Sequence, residues 1–349
     1  MKQVSDVSES PETSAVPCEL AYDAAHQRSI VVDWSDWTVI DVTGPESRTF
    51  LHNFCTNDVN ALQPGQGCEA FVTNIKGRIL QHVFLFATAD SVSVIAPPGA
   101  AESLVPHLTK YLLGLEAEVT ERSDELGCLW GCGPELSEKL TTLFGCEIPK
   151  TPGEHTTANW RESTLLVGAL SISTLPDMVL CGPRDQLGAL CDALVAQGVV
   201  KADAATFETL RIGGGFPLSG VDIGEENLAQ EAGRTERTIS FRKGCYLGQE
   251  PIARLDAMGH TNREIRGIEF DQGPVPAKDA VLLKASGEDE VGRLTSVAAS
   301  PRTGGAVALA LVRKSAMAPG TSVAVDVEGT RVEGRVFWPD ATRAAGDID

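Results

Sequence analysis

The pattern of apolar and polar positions changes character near residue 262. Beyond it, segments 263–270 (REIRGIEF), 280–285, 290–299, 306–313, 321–327 and 331–338 are short, alternating and rich in valine. Turn residues separate them at intervals of roughly ten, which predicts a small β-barrel or sandwich. Upstream the pattern is mixed. Residues 37–42 (WTVIDV) read as a strand, and Gly44-Pro45 then leads into a helix, ESRTFLHNF, with Phe50, Leu51 and Phe54 on one face. Thr56-Asn57-Asp58 ends that helix and Gln63-Pro64-Gly65 is a turn. Segments 68–74 and 78–87 read as strands joined at Lys76-Gly77, followed by a strand at 92–96. A helix is predicted over 101–113, divided or kinked by Pro106. Further strands are predicted at 116–120, 126–131, 165–173 and 177–181, and helices at 134–144, 184–196 and 203–212. Strand pairs mixed with helices predict an α+β fold, not a strict βαβ alternation. The expected division is a flexible tail at 1–17, an α+β region at 18–258, a barrel at 262–338 and a second flexible tail at 339–349.

Charge narrows the function. The 349 residues carry 29 Lys+Arg against 48 Asp+Glu, a net charge of −19. Such a chain repels phosphate backbones and anionic membrane surfaces, so neither nucleic acid nor a membrane is an expected partner. The nine cysteines are odd in number, scattered and without a Cys-x-x-Cys pair. That matches neither a secreted disulfide framework nor a structural zinc site, and no metal is expected. The N-terminus is polar, and no run approaches about 18 apolar residues, so a cytoplasmic protein is expected.

Candidate chemistry concentrates in 208–254. Gly213-Gly214-Gly215 follows a helical run and precedes Pro217. A phosphate loop needs the opposite order, strand before and helix after, so the glycines read as a helix end with a permissive turn. Residues 231–254 hold five cations (Arg234, Arg237, Arg242, Lys243, Arg254) against three anions (Glu231, Glu236, Glu250). This basic run is either a solvated face with local ion pairs or a pocket for a small anion, which Arg would grip bidentately. In Lys243-Gly244-Cys245-Tyr246-Leu247-Gly248-Gln249-Glu250 a thiol sits between two glycines, two residues after a lysine. It is either an inert cysteine in a turn or a thiol that a neighbouring cation drives towards thiolate. No nearby His or second Cys completes a nucleophilic pair.

KGCYLGQE, followed by Arg254, resembles the signature of the YgfZ family, folate-binding proteins that assist iron–sulfur cluster assembly, repair or maturation. That family is similar in fold to the glycine-cleavage T-protein, an aminomethyltransferase. ETLRIGGGFPLSGVD, GHTNREIRG and GPESRTFLHNFCTNDVNALQPG resemble further stretches of the shared pattern, so the likeness spans roughly residues 35 to 340.

The resemblance implies a cloverleaf of two interleaved α+β subdomains around a channel for tetrahydrofolate, with a C-terminal β-barrel. It implies a signature of Lys243, Gly244, Cys245, Tyr246, Gly248, Gln249, Glu250 and Arg254, with Cys245 and Lys243 as the reactive pair. Arg211, Glu208, Arg242, Arg254, Asn57 and Asp58 are the expected folate contacts, and iron–sulfur client or assembly proteins the expected partners. Two positions depart from the T-protein pattern. Its paired acidic residues in the hairpin are replaced by Gln81 and His82, which disfavours aminomethyl transfer by that route. Its glutamate in an R-[IL]-E-x-G stretch is replaced by Gly213, which leaves Glu208 as a candidate acceptor for a pterin edge.

Overall fold

A computed structural model describes residues 15–338 of the chain. The expected tail at 339–349 and all but the end of the tail at 1–17 lie outside the described residues.

Two sheets share the first 200 residues by interleaving. The opening segment gives α1 (Cys18–Gln27), β1 (Ile30–Trp34), β2 (Thr38–Thr43) and α2 (Ser47–Phe54). Then come β3 (Gln66–Thr73), β4 (Ile79–Ala87), β5 (Ser91–Ala96), α3 (Ala101–Thr109) and β6 (Glu118–Glu121). Strands β3, β4, β5, β2 and β6 lie side by side in that order in one sheet. Its core face, with Ile40, Val42, Val72, Val83, Leu85 and Val94, buries Phe50 and Leu51 of α2 and Leu104 and Leu108 of α3. Pro106 sits inside α3, which ends at Thr109, short of the expected 113. The missing Pro N–H and its ring weaken the turn around it.

The second sheet uses β7 (Leu126–Cys132), β8 (His155–Trp160), β9 (Ser163–Leu170), β10 (Asp177–Pro183) and the short β11 (Val200–Ala202). With β1 they form the order β11-β1-β7-β10-β9-β8, with α4 (Leu136–Phe144) and α5 (Arg184–Ala196) covering one face. The other face carries Trp34 and Trp130, and packs against Phe84 and Phe86 of the first sheet and Phe207 of α6 (Ala204–Gly213). Cys128 and Cys132 belong to this core, and Cys128 lies directly opposite Cys181 in the ladder.

The rims of the two sheets meet at paired glycines. A Cβ on Gly67 would stand 2.2 Å from the Leu85 carbonyl oxygen and 2.9 Å from that of Gly153. Only residues without side chains allow this approach. After the one-turn α7 (Thr235–Thr238) and α8 (Gln249–Met258), the chain enters β12 (Arg263–Phe270). Strands β13 (Val281–Lys284), β14 (Glu290–Ala299), β15 (Ala306–Arg313), β16 (Ser322–Val327) and β17 (Thr330–Phe337) follow. These six close into a barrel in the order β12-β15-β14-β13-β16-β17. The alternation that announces them exists because one face of each strand fills the barrel core, with Ile268, Leu294, Ala308, Val323 and Val336. Ile265 and Leu309 on the outer face pack with Phe71, Ile79 and Ile252. No helix among the described residues is long and apolar enough to cross a membrane.

Candidate functional site

Where the two sheets meet α7, a cavity of about 320 Å³ opens. Its inner wall is buried: Phe84 and Phe86 from β4, Glu69 from β3, and Ala169 and Leu170 from β9. Its more accessible lining includes Cys68, Pro152, Ser171, Glu236 and Arg237.

The wall is held by a buried ionic network. Hairpin β3–β4 pairs Phe71 with His82 and Glu69 with Phe84, so Glu69 and His82 are diagonal neighbours on one face. Glu69 accepts from Nε and Nη2 of Arg234, the latter at 2.7 Å, and its Oε1 lies 2.7 Å from His82 Nε2. Arg234 Nη2 also donates to the Ser171 carbonyl at 2.8 Å, and its guanidinium stacks over Phe216 at 4.9 Å. The other ring nitrogen of His82 lies 3.3 Å from the Pro217 carbonyl oxygen. Burial alone would raise the Glu69 carboxyl, but Arg234 and then His82 outweigh it and hold the group well below the usual carboxylate range. Close by, Asp177 accepts from the backbone N–H groups of Ile172 and Ser173. Burial nonetheless lifts its carboxyl from 3.8 to about 7.

The signature segment lies behind this wall and is tied to it through residues 52–57. Lys243 is buried, and its Nζ donates to the carbonyls of His52, Cys55 and Asn57 at 2.5, 2.8 and 2.8 Å. Asn57 in turn donates from Nδ2 to the carbonyls of Glu69 and Arg237, both at 2.8 Å. Tyr246 is buried with its ring 4.6 Å from the Lys243 ammonium. Gly248 has φ +84°, and a Cβ there would lie 2.4 Å from the Asn74 carbonyl oxygen, so the loop closes on the β3–β4 hairpin only with glycine. Gln249 and Glu250 then open α8, Gly244 and Cys245 are exposed, and so are Arg242 and Arg254.

None of the six expected folate contacts is among the residues that line the cavity. Arg211 is fully buried and does not line the cavity. Glu208 grips its Nε and Nη2 at 2.7 and 2.6 Å, while Asp222, Ser296 and the Phe216 carbonyl take its remaining donors at 2.9, 2.8 and 3.0 Å. Arg211 and Glu208 thus pin α6 to β14 of the barrel, and neither is among the residues that line the cavity. Gly213 ends α6, and Gly214 passes so near the Ile172 carbonyl that a Cβ would lie 2.1 Å from it. Arg242 and Arg254 are likewise absent from the cavity lining. Asn57 supports the wall from behind through its two carbonyl contacts. Asp58 is also outside the lining; it pairs with His52 at 3.2 Å and accepts from the Ala61 N–H. Lys243 spends its three donors on carbonyls rather than on the thiol. Gln81 Nε2 donates to Ser103 Oγ at 3.1 Å, away from the cavity lining. The residues that sequence reasoning missed are Glu69 and Asp177, while Arg234 and Arg237 stood among the five cations of the basic run with nothing to set them apart. The register of the Lys76-Gly77 hairpin alone puts Glu69 beside His82. Among the described residues no group of three or more His, Cys, Asp or Glu side chains is arranged to hold a metal ion.

Comparison with known proteins agrees with this architecture. A chloroplastic protein of Arabidopsis thaliana that carries the name transferase is 26% identical over 313 residues, covering 88% of this chain and 71% of its own length. An aminomethyltransferase of Alcanivorax borkumensis is 24% identical, covering 92% and 87%. The crystal structure of the glycine cleavage system aminomethyltransferase T from Bartonella henselae superposes with a TM-score of 0.82 at 20% identity, covering 93% of this chain and 90% of that one. The fold is therefore that of a T-protein, mixed helix and sheet with a closed six-strand C-terminal barrel. Residues 17–243 match the GCVT N-terminal domain and residues 263–339 the glycine cleavage T-protein C-terminal barrel domain, so the chain belongs to the glycine cleavage T-protein family.

Proposed function

We propose that the chain binds a reduced folate in the cavity between the two sheets and, in the cytoplasm, uses Cys245 in the assembly, maturation or repair of iron–sulfur proteins. The observation that carries the reading is the composition of the cavity. Phe84, Phe86 and Leu170 offer an apolar wall for a flat ring system, and the one buried anion there, Glu69, is already neutralised by Arg234. A volume near 320 Å³ falls within the range of small-molecule sites, about 300–1,000 Å³. The folate dependence of the T-protein family supports the same ligand.

The second half rests on the resemblance of the signature and on exposure. Of the nine cysteines only Cys245 is exposed, the others being buried or part-buried. Iron–sulfur clusters take about four thiolates, so a partner protein would supply the other ligands, or the thiol would relay sulfur or exchange a disulfide.

The names of the relatives favour a second reading, folate-dependent aminomethyl transfer. Gln81 and His82 count against it: one cannot hold a proton near neutral pH, and the other is engaged between Glu69 and Pro217. The test is calorimetry with tetrahydrofolate under reducing, anaerobic conditions, where saturable binding is expected and no heat at millimolar ligand would sink the proposal. Ammonia release from an aminomethyl-lipoyl donor would replace it with the second reading. In cells lacking the protein, Cys245→Ser is expected to leave iron–sulfur enzyme activity unrestored, and full restoration would remove the thiol from the function.

A further inference from the structure

Five cations stand in the basic run, and the fold disposes of them differently. Arg234 is bound to Glu69 and the Ser171 carbonyl, and Lys243 to three carbonyls. Arg242 and Arg254 are exposed and outside the cavity. Only Arg237 lines the cavity with its charge uncommitted: among the described residues its guanidinium has no hydrogen-bond acceptor and no carboxylate within 4.0 Å. Its backbone is fixed from behind by Asn57, so the side chain has a defined origin.

Glu69, Asp177 and Glu236 favour its charge from a distance but do not outweigh its burial, and none of them pairs with it. Glu69 is committed to Arg234 and His82, and Asp177 to the N–H groups of Ile172 and Ser173. Glu236 precedes it on the single turn of α7, and consecutive helical residues do not face each other. Burial, and after it the Arg234 charge, lower the Arg237 pKa, which is the cost of keeping an unpaired guanidinium there. A half-buried cation with no internal partner is a site prepared for an external anion.

Position decides which end of a ligand it meets. Phe84, Phe86, Ala169 and Leu170 are buried at the inner wall, whereas Arg237 is only part-buried and Glu236 beside it is exposed. A ligand therefore places its ring system inward and its charged end at the rim. We propose that Arg237 is the specificity-determining residue of the cavity and grips a carboxylate of the glutamyl tail, so that the site selects tailed folates over free pterins. This rests on the folate reading above.

The experiment measures binding of tetrahydrofolate and of tailless 6-methyltetrahydropterin to the wild-type protein, Arg237→Met and Arg237→Lys. Arg237→Met is expected to weaken tetrahydrofolate about 10–100-fold, the worth of a charge-assisted hydrogen bond. It leaves the tailless pterin unchanged, and Arg237→Lys restores part of the loss. Wild-type affinity for tetrahydrofolate falls as salt rises, and the slope flattens in Arg237→Met. Equal loss of both ligands, or an Arg237→Met affinity within twofold of wild type, overturns the assignment while leaving the folate reading intact. A wild-type protein that binds neither ligand overturns both. Should Arg237→Met fail to fold, Arg237→Lys decides: a partial loss of tetrahydrofolate affinity with the tailless pterin unchanged supports the assignment, and tetrahydrofolate affinity within twofold of wild type, or equal loss of both ligands, refutes it.

Discussion

Two buried cations hold the molecule together on either side of residues 52–57, and they are neutralised in different ways. Arg234, at the cavity wall, meets a carboxylate in a two-pronged ion pair. Lys243, under the signature loop, meets three carbonyl dipoles. The first arrangement cancels charge and leaves the wall neutral to a ligand. The second is a strut: it fixes where the loop sits but consumes every donor of the ammonium. The most recognisable lysine in the chain thus acts on the backbone, while the uncommitted charge in the cavity belongs to Arg237, outside the octapeptide. A motif marks where the chain must be held as readily as where it reacts.

The sharpest way to break this comparison is to remove the anion from the first arrangement and the cation from the second. Glu69→Ala strands Arg234 in the wall and is expected to cost about 3–5 kcal/mol. Lys243→Met leaves three carbonyls short of a donor and is expected to cost less, about 2 kcal/mol. Urea unfolding measures both, and a reversed order would mean that the loop, not the wall, is the harder-held region.

A second perturbation uses pH to separate two carboxylates at the wall. The folded Asp177 carboxyl titrates near 7, above its ordinary 3.8. Between those values the native state holds a proton that the unfolded chain has released, so this group lowers stability as pH rises from about 4 to 7. Glu69 has the opposite sign: its depressed pKa contributes stability above its ordinary 4.5, and that contribution is lost on acidification. Asp177→Asn should therefore gain on wild type at pH 8 relative to pH 5, as read from urea midpoints. No change in that difference would place the charge of Asp177 in contact with solvent.

The smallest effect on stability is expected where the chemistry is proposed. Cys245→Ser replaces an exposed side chain and should stay within about 0.5 kcal/mol of wild type. Under native conditions alkylation should reach Cys245 before the buried Cys55, Cys128, Cys132, Cys181 and Cys191, as read by peptide mass spectrometry.

Much of the scaffold was legible because it is periodic. Segments 263–270, 290–299 and 306–313 match β12, β14 and β15 to the residue, since their alternation is imposed by one filled barrel interior. Helix α1 was missed because CELAYDAAHQ buries only Ala21, Ala24 and Ala25, a stripe too weak to stand out from its polar neighbours. Strand β1 was missed because Ile30, Val31 and Val32 are buried on both faces and do not alternate. At the site, Cys245 and its glycines were visible as a string. Arg211, Arg234 and Arg237 are the same letter in sequence, and only tertiary partners distinguish an anchor to the barrel, a wall pair and an uncommitted charge.

The closed barrel also bears on how the protein is made. Strand β17 is the last strand among the described residues, yet it pairs with both β12 and β16. Until Thr330–Phe337 has left the ribosome, the barrel is an open sheet with two unpaired edges, the kind of surface that recruits other chains. Both sheets that enclose the cavity are encoded before residue 203 and can pair earlier. Translation therefore delivers the two sheets around the cavity first and the closing strand of the barrel last, so a ribosome stalled late exposes its nascent chain to aggregation through the barrel edges.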